Sequence, residues 1–135
     1  MSLDIQQRER EAIVIFDLKG RITVGQEASS LREKVAASTA AGHNNIILNL
    51  AHVDYIDSTG LGAMVMCSTS VRKAGGALKL VNLNRRNIEL LVMTKLATVF
   101  DLFTDEQDAV NSFFPDRKIK TFDILNFVEQ MKKED

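Results

Sequence analysis

Ile46-Ile47-Leu48-Asn49-Leu50-Ala51-His52-Val53-Asp54-Tyr55-Ile56-Asp57-Ser58-Thr59-Gly60-Leu61-Gly62 is the stretch that decides the fold. Residues 46–50 are apolar apart from Asn49, the pattern of a strand covered on both faces. A short polar loop follows, and Asp57-Ser58-Thr59-Gly60 opens a helix. That helix runs from Ser58 or Thr59 to about Ala74, puts Met64, Cys67 and Val71 on one face, and stops at Gly75-Gly76. Unpaired backbone N–H groups and the positive end of the helix dipole converge at its start, an environment suited to a phosphate.

Working outward, residues 5–8 and 12–19 form two strands about a tight connection, the second carrying Ile13-Val14-Ile15-Phe16 and ending at Gly20. Residues 22–24 make a short extended piece. Ala28, Leu31, Val35 and Ser38/Thr39 then recur at helical spacing, with Gly42 as the C-terminal cap. Residues 78–83 are the next strand, and Asn84 caps a helix holding Ile88, Leu91 and Val92. Short apolar pieces at 99–100 and 102–103 precede Thr104-Asp105-Glu106-Gln107, a capping-box pattern for a helix through Phe113. Strands alternating with helices after an initial strand pair imply an α/β fold, a mixed sheet faced by helices. The single proline, Pro115, marks the boundary of a C-terminal unit, in which Ile124, Phe127/Val128 and Met131 stripe an extra amphipathic helix over 121–133.

At 135 residues the chain is one domain. Its 17 basic and 18 acidic residues leave a net charge of −1, with no basic run, so neither nucleic acid nor an anionic membrane is an expected partner. Cys67 is the one cysteine, which excludes an internal disulfide; it reads as a small buried hydrophobe. The N-terminal residues lack the apolar core of a signal peptide, and no uncharged stretch is long enough to span a bilayer. The expectation is a cytoplasmic protein.

Signatures of catalysis are missing. There is no Gly-x-x-x-x-Gly-Lys and no Gly-x-Ser-x-Gly, and Gly60-Leu61-Gly62 is too short for a dinucleotide fingerprint. His43 and His52 read as exposed turn residues without a nucleophile or metal-ligand partner. Asp54 and Asp57 could bind a hard cation as a carboxylate pair. Alternatively, Asp54 hydrogen-bonds its own loop and Asp57 favours the helix start electrostatically. A phospho-acceptor receiver would need a second early acid beside Asp17, and none is there. No catalytic residue, metal site or cofactor is expected.

Ser58 has two readings. From spacing alone it is a helix cap, contributing about 1 kcal/mol. If Thr59 caps instead, Ser58 is free to project. Gly60 and Gly62 strip side chains from the first turn and so open its backbone to an approaching partner.

The segment 45–113 resembles the STAS domain, the family of bacterial anti-sigma-factor antagonists (anti-anti-sigma factors). The resemblance rests on the quoted stretch, above all Asp57-Ser58-Thr59-Gly60-Leu61-Gly62 at the end of an apolar strand. Gly75-Gly76-Ala77-Leu78-Lys79-Leu80 and Leu96-Ala97-Thr98-Val99-Phe100 extend it, and with the weaker matches at Gly20-Arg21-Ile22 and Leu31-Arg32 it covers 3–114. It implies a STAS fold of four or five strands faced by helices, with 115–135 as a C-terminal helical extension. It also implies that Ser58 is phosphorylated by a serine protein kinase that is itself the anti-sigma factor. The unmodified chain would bind that kinase and the phosphorylated chain would release it, with a phosphatase as the resetting enzyme. The implied docking residues are Thr23, Asp54, Asp57, Ser58, Thr59, Gly60, Leu61 and Gly62. The chain would have no enzymatic activity of its own.

Two features depart from the family pattern. Thr23 stands where many members carry an acid, which bears on partner identity. Residues 115–135 exceed the compact domain; they cover its own apolar surface, pair two subunits into a homodimer, or engage a target, and the first is the simplest. Two other functional readings stand beside the switch. One is a scaffold module in a larger signalling or transport assembly, with Ser58 only a cap. The other is a nucleotide or small-ligand site at the helix start, against which the scarcity of basic and aromatic residues near the loop, Tyr55 excepted, counts.

Overall fold

The computed structural model describes residues 3–134. β1 (Leu3–Arg10) and β2 (Ile13–Ile22) pair antiparallel with Arg10 opposite Ile13, which leaves a two-residue turn of Glu11 and Ala12. Both have positive φ, 52° and 68°, the hairpin geometry that matches strand twist. Neither is the Gly or Asn such a turn favours. Glu11 is tethered instead: its carboxylate accepts from Arg117 at 2.8 Å, and Arg117 lies 4.0 Å over the Phe114 ring.

The chain continues as α1 (Gln26–Ala40), β3 (Asn45–Ile56), α2 (Ser58–Lys73), β4 (Ala77–Val81), α3 (Arg85–Met93), β5 (Asp101–Phe103), α4 (Glu106–Asn111) and α5 (Ile124–Glu134). The five strands lie in sequence order, and every pair after the first is parallel. The mixed sheet expected from the sequence is therefore observed, with five strands. Period-two alternation assigns its faces. Val14, Phe16, Leu18, Ile46, Leu48, Leu50 and Leu80 meet Leu31 and Val35 of α1, Met64, Cys67 and Val71 of α2 and Leu91 of α3. The residues between them, Ile13, Ile15, Ile47 and Val81, face Ala109 and Val110 of α4. Burial pushes the Cys67 thiol up to about 11, so it is an inert core group.

Several local expectations change. The polar stretch after Leu50 is strand, because β3 runs on to Ile56 against the end of β2. β4 stops opposite Asn49, so this half of β3 has one neighbour only and carries exposed Ala51, His52 and Asp54. His52 is thus a strand residue opposite Lys19, not a turn residue. β2 does not end at Gly20; the register shifts there, at φ 119°, and the strand resumes to Ile22. α4 ends at Asn111, and its cap is Asp105, which accepts from the Asp108 N–H at 3.4 Å, rather than Thr104. Asn84 caps α3 as expected, accepting from the Asn87 N–H at 2.8 Å.

Beyond Pro115 the chain returns to its own domain. The Phe122 N–H donates to the Leu102 carbonyl of β5 at 2.9 Å, and Phe122 and Ile124 pack on the larger core. Arg85 pairs with Glu134 and stands 6.0 Å over the Phe127 ring. Among the described residues no helix is long and apolar enough to cross a membrane.

Candidate functional site

Asp57, between β3 and α2, organises the site. Its extended backbone (φ −90°, ψ 179°) makes it the N-cap of α2, and one carboxylate oxygen accepts from the Gly60 N–H at 2.7 Å. The other accepts from the Val24 N–H at 2.9 Å. The Asp57 N–H in turn donates to the Ile22 carbonyl at 3.2 Å. The loop after β2 is thereby tied to the start of α2. The Gly60 N–H, then that of Val24, holds the Asp57 carboxyl below the usual carboxylate range.

The cap is therefore neither Ser58 nor Thr59. Asp57 outcompetes both because its ionised carboxylate reaches the third helical N–H and still has an oxygen for Val24. Ser58 becomes the first helical residue, exposed, with a hydroxyl that makes no hydrogen bond among the described residues. Thr59 is exposed beside it.

Gly60 has a different role from the one its position suggests. It is buried, and a Cβ there would stand 1.9 Å from the Ile22 carbonyl oxygen. Its missing side chain lets α2 sit on the end of β2 and gives a partner no access. Leu61 is buried too and faces the core. Gly62 is exposed with open space before it. It lines a groove of about 380 Å³ with Thr59 and Met66 of α2 and Gly25, Ser29 and Arg32 from the side of α1. Thr23 is half-buried at the foot of α1, its carbonyl accepting from the Ala28 N–H at 3.0 Å. Asp54 is exposed on β3 and its carboxylate accepts no hydrogen bond among the described residues, so the loop bond considered for it is not made. With both Asp57 oxygens on backbone N–H groups, Asp54 and Asp57 are not arranged as a cation pair.

The sequence reading missed what surrounds Tyr55. Arg86 of α3 and Arg21 of β2 stand 5.2 and 6.0 Å from its ring centroid. Met93, which lines the same hollow as Tyr55, adds a large exposed apolar side chain, 74% accessible. Arg21 is opposite Tyr55 in the β2–β3 register, a pairing the sequence would have offered had the strand been carried to Ile56. Arg86 arrives only through the β4–α3 connection.

The family model for the STAS domain matches residues 4–109. An anti-sigma-B factor antagonist of Bacillus subtilis is 34% identical over 110 residues, which is 82% of this chain and 99% of that relative. The chain belongs to the STAS family of anti-sigma-factor antagonists. Solved structures of anti-sigma factor antagonists agree in fold. An anti-sigma factor antagonist from Mycobacterium paratuberculosis superposes with a TM-score of 0.71 at 17% identity, covering 82% of this chain and 93% of that one. The Bacillus cell fate determinant SpoIIAA in its phosphorylated form gives 0.63 at 19% identity, covering 81% and 98%. In this STAS domain, then, the Asp57–Gly62 segment forms the first turn of α2, with Thr23, Asp57, Ser58 and Thr59 gathered where β2, β3, α1 and α2 meet.

Proposed function

We propose that this STAS domain is a phosphorylation-controlled antagonist of an anti-sigma factor that is itself a serine protein kinase. Unmodified, it binds the kinase and frees a sigma factor; phosphorylated on Ser58, it lets the kinase go, until a phosphatase restores the hydroxyl. The chain itself is substrate and ligand, with no catalysis of its own. The observation that carries this reading is the uncommitted, exposed Ser58 hydroxyl one residue past the cap. Because Asp57 does the capping, modifying Ser58 removes no bond that holds the fold.

The physics of release follows from that geometry. A phosphate adds about −1.5 to −2 charges at pH 7. The helix dipole favours it, while the Asp57 carboxylate one residue away opposes it, so the domain tolerates the group at little net gain or loss. A partner seated on Val24, Thr59 and the α1–α2 groove would meet a hydrated dianion in the middle of its contact. Desolvating that charge without a matched cation costs several kcal/mol, enough to dissociate a complex of ordinary affinity.

The test is incubation of the purified chain with the serine-kinase anti-sigma factor of the same genome and Mg-ATP. Intact-mass spectrometry should show one added phosphate, lost in Ser58→Ala and retained in Thr59→Ala. Ser58→Asp should bind the kinase more weakly than wild type. Equal binding of Ser58→Asp and wild type would refute the electrostatic release.

A further inference from the structure

Among the described residues four arginines have anionic partners: Arg8 and Arg10 on Glu106, Arg85 on Glu89, and Arg117 on Glu11. Arg21 and Arg86 have none; neither forms an ion pair among the described residues, yet both converge on one partly exposed ring, that of Tyr55. No neighbouring carboxylate pairs with either arginine among the described residues. Glu89, which lines the same hollow as Arg86, is held by Arg85 at 2.8 Å. Both Asp57 oxygens are on backbone N–H groups, and Asp54 pairs with neither arginine. Two guanidinium groups on one ring repel each other, and the cation–π attraction at an exposed site is only about 0.5–1 kcal/mol each. An anion between them would relieve that repulsion with charge-assisted, fork-shaped hydrogen bonds. Beside Arg86 lies a hollow of about 210 Å³, walled by Tyr55, Ile56, Leu90 and the exposed Met93.

We propose that Arg21, Tyr55 and Arg86 form a receptor for an acidic side chain, Asp or Glu, on the anti-sigma factor, with an apolar neighbour of that acid seated against Leu90 and Met93. This inference rests on the docking function proposed above and names the chemistry of the partner's contact. Thr23 supplies no carboxylate and Asp57 spends its own on backbone N–H groups, so beside the exposed Asp54 this face offers a partner the two guanidinium groups. A protein is favoured over a free phosphate because half of the hollow is apolar.

Calorimetric titration of the full chain with the serine-kinase anti-sigma factor, as salt is raised, tests it. Wild type should weaken with salt. The double variant Arg21→Gln/Arg86→Gln should bind about 10- to 100-fold more weakly with a flatter salt dependence. Arg86→Lys keeps the charge and loses the fork, and should fall between the two. Arg72→Gln at the far end of α2 should match wild type. Unchanged thermal melts keep these losses from being losses of fold. A double variant that binds like wild type overturns the receptor and leaves the proposed function standing. A wild-type chain that never binds the kinase overturns the proposed function first. Heat with inorganic phosphate or ATP alone, abolished by Arg86→Gln, would mark a phosphate site and overturn the acidic-residue assignment.

Discussion

The carboxylate of Asp57 accepts the backbone N–H of Val24, 33 residues earlier, at 2.9 Å, while its other oxygen caps α2 through Gly60. One side chain thus closes a helix end and fixes the loop that follows β2. Asp57→Ala removes both bonds and should cost about 1–2 kcal/mol in a urea titration. Ser58→Ala, one residue on, should change stability by no more than about 0.5 kcal/mol. Asp57→Asn is the informative intermediate: its amide oxygen can still accept from Gly60, but the charge is gone, and the loss should be about half.

Gly60 and Gly62, two residues apart in one helix turn, should respond in opposite directions to the same substitution. A Cβ on Gly60 would lie 1.9 Å from the Ile22 carbonyl oxygen. Backbone cannot swing aside as a side chain can, so α2 must lift off β2 and break the Asp57–Val24 bond. Gly60→Ala is expected to cost about 3 kcal/mol or more. Gly62 faces open space, and Gly62→Ala should raise stability by roughly 0.5–1 kcal/mol through helix propensity. Thermal melts of the pair read both signs. If partner binding also falls in Gly62→Ala, the α1–α2 groove is in the interface.

Arg8 joins the first hairpin to α4, donating from Nε to Asp17 at 2.6 Å and from Nη1 to Glu106 at 3.0 Å. Arg8 holds both carboxyls below their ordinary range, Asn49 helping at Asp17 and Arg10 at Glu106. A carboxyl whose folded pKa is depressed contributes stability above its unfolded pKa and loses it as pH falls through the folded one. The acid limb of stability should therefore begin near the ordinary carboxylate range, about pH 4, and deepen below it. Arg8→Met should flatten that limb. At neutral pH the same variant should lose only about 1 kcal/mol or less, because the pairs are partly exposed. Unfolding free energies measured from neutral pH to pH 3 would show an unchanged slope if the network contributed nothing.

How much of this could be seen in the sequence depends on where burial spoke. Residues 46–50 announce a strand because both faces are covered, and Ala28, Leu31 and Val35 announce α1 because one stripe meets the core. From Ala51 to Ile56 only one neighbour strand remains, so burial no longer dictates residue type and the strand reads as polar loop. The same loss hid Arg21, whose place beside Tyr55 exists only if β3 is carried that far. Asp57, Ser58 and Thr59 are each able to cap, and composition cannot choose among them. The choice falls to Asp57 because Val24 stands ready to use its second oxygen, a tertiary fact. Gly60 and Gly62 look alike in the sequence; proximity to the Ile22 carbonyl separates them.

The C-terminal extension offers the last test. The Phe122 N–H donates to the Leu102 carbonyl on β5, and the ring packs 5.7 Å from that of Phe127 over the core edge. Phe122 and Ile124 bury only part of their surface, and Leu125 stays 79% exposed. Ending the chain after Phe114 uncovers this edge and frees Glu11 from Arg117, yet leaves β1 to β5 and α1 to α4 intact. The truncated domain should stay folded and lose about 1–3 kcal/mol, with Phe122→Ala in the full chain reproducing most of it. Arg85 keeps Glu89 after truncation, so α3 and the Arg86 site should hold and kinase binding should persist. The mass in solution should fall only by the residues removed, since Phe122 and Ile124 pack on the core of their own domain. An assembly that dissociates on truncation would instead make Leu125 part of a contact between two copies.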